Sequence, residues 1–254
     1  MSFYFYPLQK IFFSDLGRID YLKSWQLQED LLQQIVQIKL EGRNNHLGDK
    51  APTPHYLLFC EHPHVYTLGK SGSSEHLLIN QHELLKQQIT FVKTNRGGDI
   101  TYHGPGQIVG YPILNLDLFY NDVHLYVRNL EEVIIRTIAE YGVVGTRIPK
   151  LTGVWIDGGT SKARKICAFG VRCSRWVTMH GWALNVNTQL EYFNHIVPCG
   201  ISDKSVTSLQ QETGKEFDEE EVKARLLTHF TEVFQVQAET IPAEQLLLAN
   251  HIIS

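Results

Sequence analysis

The sequence predicts an α+β fold, with helices packed on a sheet. Strand-like runs cluster in the middle of the chain, helical periodicity occupies its early, central and late parts, and no βαβ unit recurs. At 254 residues, with 43% hydrophobic and 20% charged side chains, the chain has the make-up of a globular protein with a substantial core. No composition shift marks a boundary, so residues 1–254 read as a single domain, with residues 215–254 as a C-terminal helical appendage of it.

Each element has its own signal. Over residues 20–40, Leu22, Trp25, Leu32, Ile35, Val36 and Lys39 recur at helical spacing, and Gly42 is placed to stop the helix. The breaker-rich residues 42–54 read as an exposed loop. HYLLFC (55–60), FVKTN (91–95) and QIVGYPILNL (107–116) read as buried strands. Asp122 is placed to cap a helix through residue 141, with Leu125, Leu130, Val133, Ile134 and Ile138 at near-helical intervals and Gly142 after it. TGVWID (152–157), KICAFGVRC (165–173) and VTMHGWALNV (177–186) read as strands, the first two joined by a GGTS hairpin signal. Asp218 and Glu221 resemble the cap of a last helix carrying Val222, Leu226, Phe230 and Val233.

Several classes are disfavoured. A net charge of -4 and a pI near 6.3 argue against a nucleic-acid partner. No apolar run approaches the roughly 18 residues of a membrane span. The opening MSFYFYPLQKIFF lacks a basic leader and a continuous apolar segment, and reads as mature sequence. Cys60, Cys167, Cys173 and Cys199 form no C-x-x-C pair, so reduced thiols and a cytoplasmic location are expected. Lys162, Arg164, Lys165, Arg172 and Arg175 fall within fourteen residues that contain no acid. They form either a solvated strand edge or an anion dock.

Residues 95–116 pose the functional question. Gly97, Gly98, Gly104, Pro105 and Gly106 flank DITYH, which suggests backbone that bends sharply and approaches a ligand. Further on, Pro198 and Gly200 bracket Cys199 in a way suited to presenting a thiol and its neighbouring amide. With an ordinary pKa of about 8.5, only roughly 3% of a thiol is ionised at pH 7, so a base or cation must help it. Lys165 is a candidate, because desolvation at the start of an apolar strand would let it accept a proton; alternatively, its ammonium caps the strand in water. Strand alternation puts Lys165, Cys167, Phe169 and Val171 on one face, which makes Cys167 a rival thiol. His62, His64, His103 and His180 complete no tetrahedral set, so no metal is expected. His103 and His180, each beside a glycine, read as partners of loop backbone.

RGGDITYHGPGQ, KICAFGVR, HGWALNV, VPCGI and VTSL, preceded by EHPHVYTLGK, follow a family order and spacing. From about Tyr21 to Gly214 the chain resembles the octanoyltransferases of lipoate biosynthesis. The resemblance implies a fold shared with biotin and lipoate protein ligase catalytic domains: a mixed, largely antiparallel sheet with packed helices. It implies transfer of octanoyl from the phosphopantetheine thioester of acyl carrier protein, with no cofactor of the enzyme's own. The acceptor would be a lysine amine on the lipoyl domains of 2-oxoacid dehydrogenase complexes or on the glycine-cleavage carrier protein. Cys199 would accept the acyl group and Lys165 would activate it. Arg96, Gly97, Gly98, Asp99, Ile100, Thr101, Tyr102, His103, Ala168, Phe169, Gly170, Gly181, Trp182 and Ala183 would line the acyl site. Asp99 and Trp182 depart from the family pattern, which often has an uncharged residue and a smaller apolar one there.

That chemistry suits the residues. Acyl exchange between thiols is nearly balanced in energy, whereas passage to an amine gives a stable amide, so a cysteine intermediate divides the transfer into two accessible steps. Gly97, Gly98, Gly104 and Gly106 would wall a narrow tunnel with bare backbone, and the basic run would dock acidic carriers. The rivals are an ATP-dependent ligase with no need for Cys199, a non-catalytic module that binds acylated carriers, and a hydrolase pairing a cysteine with His180 or His195.

Overall fold

The computed structural model describes residues 8–44, 51–197 and 205–249. The chain begins with β1 (Gln9–Arg18), α1 (Tyr21–Asn44), β2 (Tyr56–Glu61), β3 (Val65–Leu68), α2 (Gln81–Lys86), β4 (Thr90–Lys93), β5 (Ile100–His103) and β6 (Gln107–Ile113). It continues through α3 (Val123–Ala139), β7 (Thr146–Ile148), β8 (Leu151–Ile156), β9 (Arg164–Ser174) and β10 (Val177–Asn185). The last elements are β11 (Ser205–Val206), α4 (Leu209–Thr213), α5 (Glu219–Phe234), β12 (Val236–Thr240) and α6 (Ala243–Ala249).

The larger sheet has the order β12-β1-β2-β6-β10-β9-β8-β7, with β11 beside the start of β9. β1 runs parallel to β12 and β2, and β11 to β9; the other neighbours are antiparallel. The sheet is therefore mixed and largely antiparallel. A smaller sheet, β4-β3-β5, stands beside it. One face of the larger sheet carries α1, whose Leu27, Leu31, Leu32 and Ile35 pack with Leu58, Val109, Met179 and Ala183. On the other face, Leu130, Ile134 and Ile138 of α3 and Phe230 of α5 pack with Phe59, Trp182 and Leu184. β6, buried along its whole length, lies between these two layers, which explains its unbroken apolar character.

Local signals account for the helix starts. Asp20 Oδ1 accepts the Leu22 N–H at 2.9 Å, and Asp122 Oδ1 accepts the Leu125 N–H at 2.9 Å. Gly42, however, does not end α1: the helix runs on to Asn44 with Gly42 buried in it. Leu22 and Leu125, expected on buried faces, are exposed in the first turns of their helices. The strand expected over residues 107–116 stops at Ile113, because Asn115 caps a short 3-10 turn by accepting the Asp117 N–H.

The strands β1, β3, β5, β7, β11 and β12 carry no sequence signal strong enough to read. They are short, or half-exposed, or lie at a sheet edge, where little apolar periodicity is required. At the C-terminal end, Asp218 caps α5 through Glu220 N–H, not through Glu221. Val222, Leu226 and Phe230 are buried, and Phe234 stacks on Phe230 at 4.4 Å while Val233 is only partly covered. Residues after 215 are thus more than helix: β12 adds a parallel strand to the edge of the larger sheet.

Phe230→Ala is expected to cost about 3–5 kcal/mol, as for a large aromatic removed from a close-packed core. Urea denaturation would measure it. A loss near zero would mean that this segment is only loosely attached.

Candidate active site

A cavity of about 480 Å³ opens between the two sheets. Arg96, Gly97, Gly98, Asp99, Ile100, Thr101, His103, Lys165, Ala168, Phe169, Gly170, Gly181, Trp182 and Ala183 all line it. The β9–β10 ladder explains why the last six meet: Ala168 faces Ala183, Phe169 faces Trp182 and Gly170 faces Gly181. Tyr102 lies elsewhere. Its ring stacks on Tyr192 at 5.1 Å and its hydroxyl meets His64 Nδ1 at 2.8 Å. Alternation along β5 turns it away while Thr101 and His103 line the cavity. Cys199 lies outside the described residues.

The glycines divide similarly. Gly97 and Gly98 line the cavity, whereas Gly104 and Gly106 do not. A Cβ on Gly104 would sit 1.9 Å from the Tyr102 hydroxyl, and one on Gly106 would sit 2.5 Å from the Asn187 backbone, so internal packing requires both.

Arg96 holds the loop together. It is 6% exposed, and its guanidinium donates to Thr67 O and Thr67 Oγ1 on β3, to Gly97 O and to Asp99 O. Gly97 N–H in turn donates to Val171 O at 3.0 Å, which joins this loop to β9. Asp99 caps Ile100 N–H and lies 2.6 Å from His76 Nδ1.

The cavity histidines bond mainly to side chains, not to the loop backbone expected from sequence. His180 Nε2 pairs with Asn95 Oδ1 at 2.7 Å, while its Nδ1 is buried without a partner. Burial, reinforced by the charges of Arg96 and Arg172, pushes its pKa down to about 3. His103 Nδ1 pairs with Gln107 Oε1 at 2.8 Å, and burial with neighbouring His62 and Arg96 holds its pKa well below the usual range. Among the described residues, no group of three or more His, Cys, Asp or Glu is placed to hold a metal.

A relay of amides starts at His103. Gln107 Nε2 donates to Asn185 Oδ1 at 2.9 Å, and Asn185 Nδ2 donates to Thr207 O at 2.9 Å. Thr207 N–H donates to Lys165 O at 2.9 Å, so the relay pins the strand beside Lys165. Gln107 and Asn185 line the cavity but were missed from the sequence, although Gln107 closes the HGPGQ motif. Trp155 and Tyr21 were missed too.

Lys165 and Cys167 do not share a face. Val154 pairs with Cys167 and Trp155 with Lys165, so β9 carries one extra residue, Ile166, and bulges. Ile166 and Cys167 both enter the core, whereas Lys165 reaches the cavity with its Nζ 4.7 Å from the centroid of the Trp155 ring. Complete burial holds the Cys167 thiol well above its ordinary pKa, which suits a core residue. The basic run is dispersed in the same way. Arg164 pairs with Glu212 and Asp157, and Arg172 with Glu29. Lys162 and Arg175 remain exposed at opposite ends of β9. No continuous basic face results.

Fold and cavity together define a class of catalytic domain. The family model of the lipoyl protein ligase A/B catalytic domain matches residues 20–231. A bipartite lipoate protein ligase from Thermoplasma acidophilum has a TM-score of 0.72 at 14% identity, over 95% of this chain and 91% of its own. A lipoate-protein ligase A bound with ATP gives 0.69 at 15% identity, over 95% and 92%. Those likenesses concern the fold. In sequence, the octanoyltransferase of Christiangramia forsetii is 58% identical over 88% of this chain and 95% of its own, and that of Flavobacterium johnsoniae 56% over 90% and 98%. The chain belongs to the octanoyltransferase family of acyltransferases.

Two outcomes are expected. Asn185→Leu leaves Thr207 O and Gln107 Nε2 without their partner, which should cost about 1–3 kcal/mol. Amide exchange at Thr207 should also quicken, and unchanged exchange would contradict the relay. The second concerns pH. Burial lowers His55 and His62 to about 4 and His180 to about 3, and takes His103 well below 6.5. These residues are neutral when folded and bind protons at about 6.5 only when unfolded. Stability is therefore full above pH 6.5 and falls towards pH 4, by up to about 1.4 kcal/mol per histidine per pH unit. Denaturant curves at pH 7.5 and 5.5 would reveal the loss; equal stabilities would refute it.

Proposed function

We propose that this chain transfers an octanoyl group from the phosphopantetheine thioester of acyl carrier protein to a lysine amine of lipoyl-carrier domains, in protein lipoylation. The acceptors are lipoyl domains of 2-oxoacid dehydrogenase complexes and the glycine-cleavage carrier protein, in a reducing cytoplasm. No cofactor is required, because the donor carries the acyl group in activated form. One observation carries the reading: in a chain more than half identical to octanoyltransferases, three separated motif segments converge on one cavity with Lys165 in its wall.

The reacting thiol is that of Cys199. Phe193 and Val206, on either side of residues 198–204, both line the cavity. In the first step the Cys199 thiolate attacks the thioester carbonyl. The bond to the phosphopantetheine sulfur breaks, and that sulfur leaves and takes up a proton. In the second step the acceptor amine attacks the Cys199 thioester. The cysteine thiolate leaves, the amine loses its proton, and an amide remains.

The alkyl chain lies in the cavity, whose volume falls within the roughly 300–1,000 Å³ of small-molecule sites. Burying the chain contributes on the order of 5 kcal/mol. Val109, Phe169, Val171 and Trp182 supply apolar wall. Trp182 lies over Gly110, where a Cβ would come within 2.2 Å of the indole, so a broad ring at this position limits the room for a longer chain.

Incubation with octanoyl carrier protein, without ATP, should add one octanoyl mass to Cys199. Intact-protein and peptide mass spectrometry on wild type, Cys199→Ala and Cys167→Ala would test this. Label that persists in Cys199→Ala and vanishes in Cys167→Ala would sink the assignment.

A further inference from the structure

The cavity carries more positive charge than an alkyl chain requires. Arg96, Arg128, Lys150 and Lys165 line it, and Asp99 is the one carboxylate among the described lining residues. Arg96 and Asp99 are committed to the glycine loop, through carbonyls in one case and through Ile100 N–H and His76 in the other. Arg128 and Lys150 lie elsewhere, on the α3 and β7–β8 side, together with His124 and Thr152. Arg147 Nη2 donates to Arg128 O at 3.0 Å, which joins that part of α3 to β7 just before the turn that carries Lys150.

Neither cation is spent on structure. Arg128 Nη1 donates to the buried Glu131 carboxylate at 2.7 Å, but Glu131 is shared with Arg147, and the Arg128 side chain is 41% exposed. A guanidinium has five N–H donors, and the others of Arg128 meet no described residue. The Lys150 ammonium meets no described acceptor. Lys150 is also the second residue of a two-residue turn, between Ile148 and Leu151, at φ 66. Glycine or asparagine is the ordinary occupant of such a position, so the lysine is kept there against its backbone preference. The acid nearest in sequence to this group of residues, Asp122, is occupied in capping α3 through Leu125 N–H.

We propose that Arg128 and Lys150, with Thr152 beside them, form a phosphate subsite at the rim of the cavity. It takes the phosphate ester of the acyl donor's pantetheine arm, while the alkyl chain lies against Val109, Phe169 and Trp182. This rests on the reading of the donor as a phosphopantetheine thioester. A guanidinium meets phosphate oxygens as a fork, and an ammonium adds a mobile point charge. The spacing suits the arm. The run from Leu151 to Trp155 leads from the Lys150 turn to the pairing partner of Lys165, and covers about 13 Å at roughly 3.3 Å per residue. Roughly thirteen bonds separate the phosphorus of the arm from its sulfur, and they extend to about 15 Å at the rise of a polypeptide, which has three bonds in roughly 3.3–3.6 Å.

The test compares S-octanoylphosphopantetheine with S-octanoylpantetheine as donors to a lipoyl domain, read as the ratio of their kcat/KM values. A general loss of folded enzyme affects both donors and cancels in the ratio. Wild type should favour the phosphorylated donor by about fivefold or more at low salt, and added salt should shrink the preference. Arg128→Gln and Lys150→Gly should each bring the ratio towards one, the glycine being at home in the left-handed turn, and Lys150→Glu should carry it below one. A wild-type ratio near one, or a preference that no Arg128 or Lys150 variant alters, overturns the subsite and leaves both cations as solvated surface. AMP has a phosphate without the arm and should compete only at millimolar concentration; micromolar competition that Lys150→Glu abolishes would hand the subsite to a nucleotide. If octanoyl carrier protein itself delivers no acyl group to the lipoyl domain, the reading of the reaction fails instead.

Discussion

The cavity depends on one buried cation. Taking a guanidinium out of water costs several kcal/mol unless its donors are satisfied, and Arg96 satisfies them with carbonyls of the two segments that must be held together. The smaller sheet and the glycine loop therefore move as one body, and the Gly97 bond to Val171 fastens that body to the larger sheet. The same charge acts on its surroundings. Burial first, and then this charge, disfavours protonation of His103 and His180, so these two cavity histidines stay neutral.

Departures from regular strand geometry aim the remaining groups. Pro112 offers no N–H to the strand beside it, and Gly181 leaves room for its ring, where a Cβ would sit 2.8 Å from Pro112 Cδ. Just before, His180 adopts φ 57, a left-handed conformation rare outside glycine. Its ring consequently lies on the α1 side, near Trp25 and Tyr111, although Trp182 two residues on packs on the opposite face. In β9 the extra residue at Ile166 does comparable work for Lys165. Strain of this kind persists only where surrounding bonds over-determine it, and here Gln28 and Asn95 fasten His180 on both its backbone and its ring.

The helix α1 is the other organiser. Its Glu29 accepts from Trp25, Asn95 and Arg172, which ties the helix to the loop before the glycines and to β9. A cation that looks available in the linear sequence is thereby spent on structure. Electrostatic attraction of an acidic carrier cannot come from the run of residues 162–175 as a patch, because strand geometry spreads those side chains over two faces and two ends.

What the sequence by itself determined was local. The helix cap at Asp122, the buried strands β2, β6 and β10, and the motif segments that meet at the cavity were legible, since each depends on a few consecutive residues and one backbone period, whereas β4, also read as buried, lies half-exposed. Only the tertiary structure decided which groups become neighbours. The bulge that parts Lys165 from Cys167, the alternation that turns Tyr102 away, the indole under Lys165 and the acids that absorb Arg164 and Arg172 all follow from strand register. Register is a property of two chain segments at once, set by the packing of faces far apart in sequence, and a single segment read alone does not contain it.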